Sequence, residues 1–385
     1  MKIICTQENL NQGLSIVSNL SNKNPNLPIL NNVLIKAKQG VITLTSTNLE
    51  MGINCIIRGK IDNDGNFTIP AKTTTDYVNL IKDKQVNLNL KDNEIELITS
   101  NNKTRFKGVS SQDFPTIPEI KKENKYTTSV RDFKDCLNKI IFAVANTSSR
   151  PEINGAVFDF NSKNKMLTVA ATDSYRLAEQ KISLKNSGED KRIIVPGKTL
   201  QEVVRILGLI KETEENSDKG DVNIYISNDN QILFTFSDTK IGADENIELI
   251  SRLIEGNYPE YQEIIPENHN TEIIVNKNDL INTVKKSSLF TKNKIDSIKL
   301  NFLKDSNELT VYSANAETGE NLSKLQVKIK GEDNEIVLNY HYLLDGLQHI
   351  DGDDVILEVI NKDVPCVLRS AEKNNYLYII MPIRL

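Results

Sequence analysis

The feature that most constrains this chain is self-similarity at long period: three kinds of landmark each recur three times in the same order. The first is a capped amphipathic helix. Its start reads Thr6-x-x-Asn9-Leu10, then Ser129-x-x-Asp132-Phe133, then Asn276-x-x-Asp279-Leu280. Thr, Ser and Asn are good N-caps because a side-chain oxygen accepts an orphan backbone N–H. An acidic residue in the first turn suits both a capping box and the helix dipole. Apolar faces follow: Leu10, Leu14 and Val17; Phe133, Leu137, Ile140 and Val144; Leu280, Ile281 and Val284. The second landmark is a strand running into another helix, FTIPAKTTTDYVNLI, RIIVPGKTLQEVVRIL and EIVLNYHYLLDGLQHI, in which Pro70, Pro196 and Asn339 coincide. Proline suits a helix entry because its missing N–H costs nothing there. The third is a strand ending in a small polar turn: VITLTSTNLE, LTVAATDSYRL and LTVYSANAETG.

Alternating segments such as Val86 to Leu90 and Ile232 to Phe236 supply further strands. The first two copies also close alike, on DFPTIP and NYPEYQEIIP, and the polar insert at 211–221 accounts for the longer second interval. Three modules, at 1–122, 126–260 and 261–385, each with two helices and several antiparallel strands, predict an α+β fold. Repetition by itself is open to two readings. It is either a duplication without shared function or a quasi-symmetric assembly in which the repeats build the working shape.

A length of 385 residues fits two or three domains, and 38% hydrophobic with 26% charged residues is an ordinary globular balance. No stretch approaches the ~18–20 apolar residues of a membrane span. Met1 to Cys5 lead straight into a capped helix, not the apolar core of a signal peptide. Cys5, Cys55, Cys136 and Cys366 form no C-x-x-C pair and no metal spacing, so they read as buried, reduced thiols of a cytoplasmic protein. The three histidines, His269, His341 and His349, fall in no ligand pattern, and there is no phosphate-binding loop or nucleophile elbow. Asp173, the best candidate acid, sits in a strand-end turn and reads as a turn former. No catalytic residue, cofactor or metal is predicted.

Net charge is −5, which argues against adhesive DNA binding but not against retention on DNA by shape. Basic residues nonetheless recur on the helices away from the apolar faces: Lys72 and Lys82; Arg131, Lys134 and Lys139; Lys198 and Arg205; Lys277, Lys285 and Lys286. Lys23 and Arg150 follow first helices in loops. A solvated helix face explains any one of them. The same placement in successive modules is harder to explain that way: if the helices line one concave surface, positive charge collects there, and a duplex would sense that local field and not the net charge. Lys23, Lys72, Arg150, Lys198, Arg205 and Lys277 are the candidate DNA-facing residues.

The repeat, ATDSYRLA at 171–178, GNYPEYQEIIP at 256–266, the terminal MPIRL, NLPILNNVLI at 26–35 and SRPEINGAVFD at 149–159 together resemble the bacterial sliding clamp family, the beta subunit of DNA polymerase III, over the whole chain. The resemblance implies three clamp domains per chain and a head-to-tail homodimeric ring with helices inside and antiparallel sheets outside. Such a ring encircles double-stranded DNA without reading its sequence, is opened by a clamp loader, and catalyses nothing. It implies partners that dock through short linear motifs: the DNA polymerase III alpha subunit, the loader, other polymerases and repair proteins.

The family's peptide pocket, carried over by position, falls on Ile153, Thr172, Ser174, Tyr175, Arg176, Leu177, Pro259, Ile264, Asn339, Tyr342, Ile379, Met381 and Pro382. Aliphatic walls would take apolar anchors, while Arg176 and Asn339 would fix polar groups. The family commonly has Gly-His where this chain has Ser174-Tyr175, which bears on the shape of the rim. The resemblance also puts a dimer interface on Phe106, Leu289 and Phe290, with a strand at Thr104 to Val109 pairing a strand at Ser297 to Phe302 of another copy. Two rival classes stay open on sequence: a DNA-processing enzyme with a cryptic metal site, and a peptide-binding adaptor that never encircles DNA.

Overall fold

The computed structural model describes residues 1–21, 27–210, 220–291, 296–373 and 375–384. The threefold repeat is realised element by element. Each copy runs strand, helix, four or five strands, helix, three strands. The helices are α1 (Gln7–Val17), α2 (Ala71–Leu80), α3 (Val130–Ile140), α4 (Gly197–Leu209), α5 (Lys277–Ser288) and α6 (Tyr340–His349). The three expected caps form. Thr6 accepts the Asn9 N–H at 3.1 Å, Ser129 the Asp132 N–H at 3.0 Å and Asn276 the Asp279 N–H at 3.2 Å. Behind each cap the apolar stripe is buried, Leu10 and Leu14 in α1, Phe133 and Leu137 in α3, Leu280 and Val284 in α5.

Two compact units divide the chain, and they cut across the repeats. One unit holds Met1–Lys134, Leu184–Glu189 and Lys198–Leu253; the other holds Asp135–Ser183, Asp190–Gly197 and Ile254–Leu385. The first contains a five-stranded and an eight-stranded sheet, with α1 packed on α2 and on the sheet; the second contains a nine-stranded and a four-stranded sheet, with α5 packed on α6. The reason for the cut is strand pairing. In each repeat one strand follows the small polar turn (Met51–Ile57, Arg176–Ser183, Gly319–Gln326) and one comes last (Lys103–Lys107, Ile247–Arg252, Tyr376–Ile380). The turn strand of repeat one pairs with the last strand of repeat two, from Met51 opposite Ser251 to Cys55 opposite Ile247. The turn strand of repeat two pairs likewise with the last strand of repeat three, from Arg176 opposite Ile380 to Gln180 opposite Tyr376. Each seam makes two four-strand halves, plus a short extra strand at the second, into one continuous antiparallel sheet.

The third equivalent pair is left open. Lys103–Lys107 ends the five-stranded sheet and Gly319–Gln326 ends the four-stranded one. This corrects one expectation. The Ser297–Leu303 strand is not an edge: it is hydrogen-bonded to Glu308–Asn315 on one side and to Asn334–Asn339 on the other, so it has no ladder to offer another chain.

All four cysteines are free and buried. Burial in apolar surroundings pushes the Cys5 and Cys366 thiols up to about 12, so the thiolate, the reactive form, is suppressed.

Candidate functional site

The turn after Met166–Thr172 builds one wall of a pocket from its own hydrogen bonds. Thr172 Oγ1 donates to the Arg176 carbonyl at 2.7 Å and accepts the Ser174 N–H at 3.0 Å; Asp173 accepts the N–H groups of Tyr175 and Arg176, each at 3.0 Å. Asp173 is thus a turn former, as its context suggested. The turn puts Ser174 at φ 79°, in the left-handed region that costs most residues roughly 1 kcal/mol or more. Relatives with glycine at this position would avoid that cost.

The segment 258–265 and the last strand close the pocket. Tyr258 Oη accepts the Thr172 N–H at 3.1 Å, and Tyr261 Oη donates to buried Glu179 at 2.7 Å. The Met381 N–H donates to the Tyr175 carbonyl at 2.8 Å and fixes the C-terminal end beside the turn. The result is a cavity of 210 Å³. Thr172, Ser174, Arg176, Leu177, Pro259, Ile264, Ile379 and Met381 line it, and all eight were expected there. Ile153 lies just beneath, in the core cluster with Leu177, Ile379, Tyr258 and Tyr261, so it supports the floor without facing the opening.

Several residues differ from their expected roles. Asn339 is the N-cap of α6 and accepts the His341 and Tyr342 N–H groups at 2.9 and 3.3 Å; its carbonyl oxygen is therefore committed to the helix and not to a peptide. Arg176 is a strut. Its guanidinium, mostly buried, reaches Asp173 at 2.9 Å, Asp345 at 2.6 Å and the Phe142 carbonyl at 2.8 Å. Burial opposes its charge, and the Tyr378 hydroxyl with the two carboxylates more than offsets this, so its pKa is raised. Tyr342 and Tyr175 lie outside the cavity lining but face each other at 6.5 Å, with Arg176 over the Tyr342 ring at 4.6 Å, forming an aromatic shelf beside the pocket. Pro382 follows, half-buried and outside the lining.

Three lining residues were not anticipated for the pocket: Arg150, Glu260 and Tyr261. Arg150 is a candidate for DNA by its sequence position, but its side chain turns to this rim. It bonds Ser174 Oγ at 3.1 Å and Glu152 at 3.1 Å, and so guards the mouth of the pocket.

The remaining candidates for a DNA face divide in the same way. Lys72 and Lys198 are exposed. Lys277 caps the end of α6 by donating to the Ile350 carbonyl at 2.8 Å. Arg205 is committed to packing: it pairs with buried Glu202 and donates to the Ser15 and Ile16 carbonyls at the end of α1. Lys139, read as a surface cation, is buried between Asp135 and Asp351, each at 2.8 Å. Lys23 lies outside the described residues.

At the open edges, Phe106 is buried and meets the Tyr77 ring edge-on at 5.6 Å. Leu289, 73% exposed, follows α5 with half-buried Phe290, and α5 packs against the open Gly319–Gln326 strand. Among the described residues, no three His, Cys, Asp or Glu side chains gather as a metal-ligand set. Among the described residues, no helix is long and apolar enough to cross a membrane.

Three family models match in order: the DNA polymerase III beta subunit N-terminal domain at residues 1–118, the central domain at 127–260 and the C-terminal domain at 262–384. A beta sliding clamp of Staphylococcus epidermidis is 28% identical over 93% of this chain and 92% of its own length. One of Synechocystis is 25% identical over all of both chains. The crystal structure of the DNA polymerase III subunit beta from Pseudomonas aeruginosa superposes over all of both chains with a TM-score of 0.90 at 22% identity, a likeness of fold.

Proposed function

Because this chain belongs to the bacterial DNA polymerase III beta subunit family, we propose that it is a DNA sliding clamp: two copies close into a ring around duplex DNA and tether the polymerase to it. The observation that carries this reading is the open third seam. Two of the three equivalent strand pairs are closed within the chain, and the members of the third, Lys103–Lys107 and Gly319–Gln326, both end their sheets. Two copies arranged head to tail would close both open seams by repeating the same pairing, which leaves no edge of this kind exposed. The flanking apolar surface supports it: Leu80 at the end of α2 is 77% exposed, and Leu289 and Leu322 are 73% and 58% exposed on the other side.

A ring threaded by DNA needs little adhesion. Lys72 and Lys198, exposed and basic, serve to centre the duplex through weak phosphate contacts, which permit sliding because they carry no sequence information. The pocket of 210 Å³ at the second seam takes the short linear motifs of partners, the polymerase alpha subunit, the clamp loader, other polymerases and repair proteins. The protein works in the cytoplasm. The chain needs no catalytic group and no cofactor for this task. Sedimentation of the purified protein tests the ring: a dimer at micromolar concentration is expected, and a monomer there would sink the reading.

A further inference from the structure

The internal repeat gives the pocket a counterpart at the first seam. The turn after Val41–Thr47 has the same hydrogen bonds as the turn of the pocket. Thr47 Oγ1 donates to the Met51 carbonyl at 2.7 Å and accepts the Leu49 N–H at 3.1 Å; Asn48 accepts the Glu50 and Met51 N–H groups at 3.0 and 2.8 Å. Leu49 stands at φ 76° where Ser174 stands at φ 79°. The Arg252 N–H donates to the Glu50 carbonyl at 3.1 Å, as the Met381 N–H does to that of Tyr175. Pro115 occupies the place of Pro259 in the segment that crosses the sheet. Beside this turn lies a cavity of 410 Å³, bounded by Leu49, Pro115, Ile117, Ile250 and Arg252.

The floor is conserved in kind by a swap. Gly52 takes the register position of Leu177, and a Cβ on Gly52 would lie 2.6 Å from Ile117 Cδ1, so the Ile117 side chain fills the space that Leu177 fills at the other seam. Ile117 in turn packs on Tyr225, Leu233 and Ile250. The walls differ in charge: Arg252 replaces Met381 and Glu50 replaces Tyr175. Arg252 is exposed, and among the described residues its guanidinium has no ion pair or hydrogen bond. Leu49 holds a half-exposed apolar side chain on a left-handed backbone, a costly way to present it to water.

We propose that this groove is a second recognition site, for an extended peptide segment that carries an apolar side chain next to a single carboxylate. The apolar group would lie on Leu49 and Ile117. The carboxylate would meet the planar fork of Arg252, which suits bidentate pairing. Glu50, on the same turn, repels a second carboxylate, so an acidic run is disfavoured. The proposal takes from the pocket reading only that this frame presents a bound segment.

The test uses the full-length protein with 13C-labelled isoleucine methyls. Ile117 and Ile250 report on the first seam, Ile264 and Ile379 on the second. The probes are the blocked peptide Ser-Gly-Leu-Glu-Gly-Ser, its Gln-for-Glu analogue, and a control peptide with Gln, Leu and Phe anchors. The Glu peptide should shift the Ile117 and Ile250 methyls. The Gln analogue, or Arg252→Glu, should weaken binding about tenfold or more, the loss of one charge-assisted pair. Shifts confined to Ile264 and Ile379, equal binding of the Gln analogue, or no shift at millimolar peptide would overturn the proposal. If the control peptide moves Ile379 while the Glu peptide moves nothing, this site fails and the pocket stands. If the control peptide also moves nothing, the pocket reading fails too.

Discussion

Arg176 Nη1 lies 2.6 Å from Asp345 Oδ2, and this contact joins the turn of the second repeat to a helix of the third. It fixes the pocket wall before any ligand arrives. Arg176→Ala would take the guanidinium from Asp173 Oδ2, Asp345 Oδ2 and the Phe142 carbonyl, while Asp173 Oδ1 keeps its two backbone donors. Leaving a half-buried acceptor unpaired costs about 1–3 kcal/mol. Urea denaturation should show a loss of that order, and a labelled motif peptide should bind at least several-fold more weakly. An Arg176→Ala protein of unchanged stability and affinity would mean the strut is idle.

The open seam makes a sharper prediction than the sequence did. Leu322→Arg sets a cation among Lys103, Arg105 and Lys107 of the other copy, and Leu289→Ala removes a large exposed side chain beside the same strand. Each Leu buried at an interface contributes roughly 1.5–3 kcal/mol. Sedimentation should find Leu322→Arg monomeric at micromolar concentration, with Leu289→Ala shifted toward monomer. A double substitution on Ser297–Leu303 that leaves its fold intact should not affect dimerisation, since that strand is interior. A tight Leu322→Arg dimer would move the interface elsewhere.

Removal of Met381 to Leu385 strips one wall from the cavity and breaks the bonds from Met381 to Tyr175 and from Ile383 to Val337. A peptide with Gln, Leu and Phe anchors, which could supply about −8 kcal/mol and so bind near micromolar, should lose its affinity. The dimer should persist, because the hydrogen bonds that are lost lie on Tyr175 and Val337 and not on Lys103–Lys107 or Gly319–Gln326. Retained affinity would take the pocket away from this place.

Acid should act through Lys139. Its buried ammonium pairs with Asp135 and Asp351, and Asp351 also meets Lys373 at 3.1 Å. Partial burial works against the Asp351 carboxylate, but the two lysines prevail and hold its pKa below the ordinary value. A depressed folded pKa contributes stability above the unfolded value, near 3.9 for Asp, that is lost as pH falls through the folded pKa. Urea midpoints measured from about pH 5 down to about pH 2 should therefore fall less steeply for Asp351→Asn than for the native chain. Parallel curves would show that the pair adds nothing.

The repeat was legible because caps, helix stripes and polar turns are local, and each was read correctly at Thr6, Ser129 and Asn276. Strand order was not. Whether Ser297–Leu303 or Gly319–Gln326 forms an edge depends on long-range pairing, which alternation along one strand does not encode; only the comparison of equivalent strands reveals it. Asn339 carried its own signal, since it aligned with Pro70 and Pro196 at a helix entry and so announced a cap. Tyr261 could have been found from its place between Pro259 and Ile264, two residues already assigned to the pocket. Arg150 and Arg205 could not, because a basic side chain reads the same in sequence whether it faces solvent or bonds Ser174 and the Ser15 carbonyl.

The central claim is topological, and retention on DNA tests it. An adhesive binder with 6–10 phosphate contacts would lose ~10³–10⁵ in affinity between 50 and 200 mM salt. A closed ring leaves a circle only when a protein seam opens, and net charge of −5 gives it little adhesion to fall back on. The measurement is gel filtration of protein loaded onto circular duplex, washed in high salt, before and after one double-strand cut. The ring predicts retention on the circle and release from the linear form. Equal retention on both, or loss from the circle in salt alone, would contradict it.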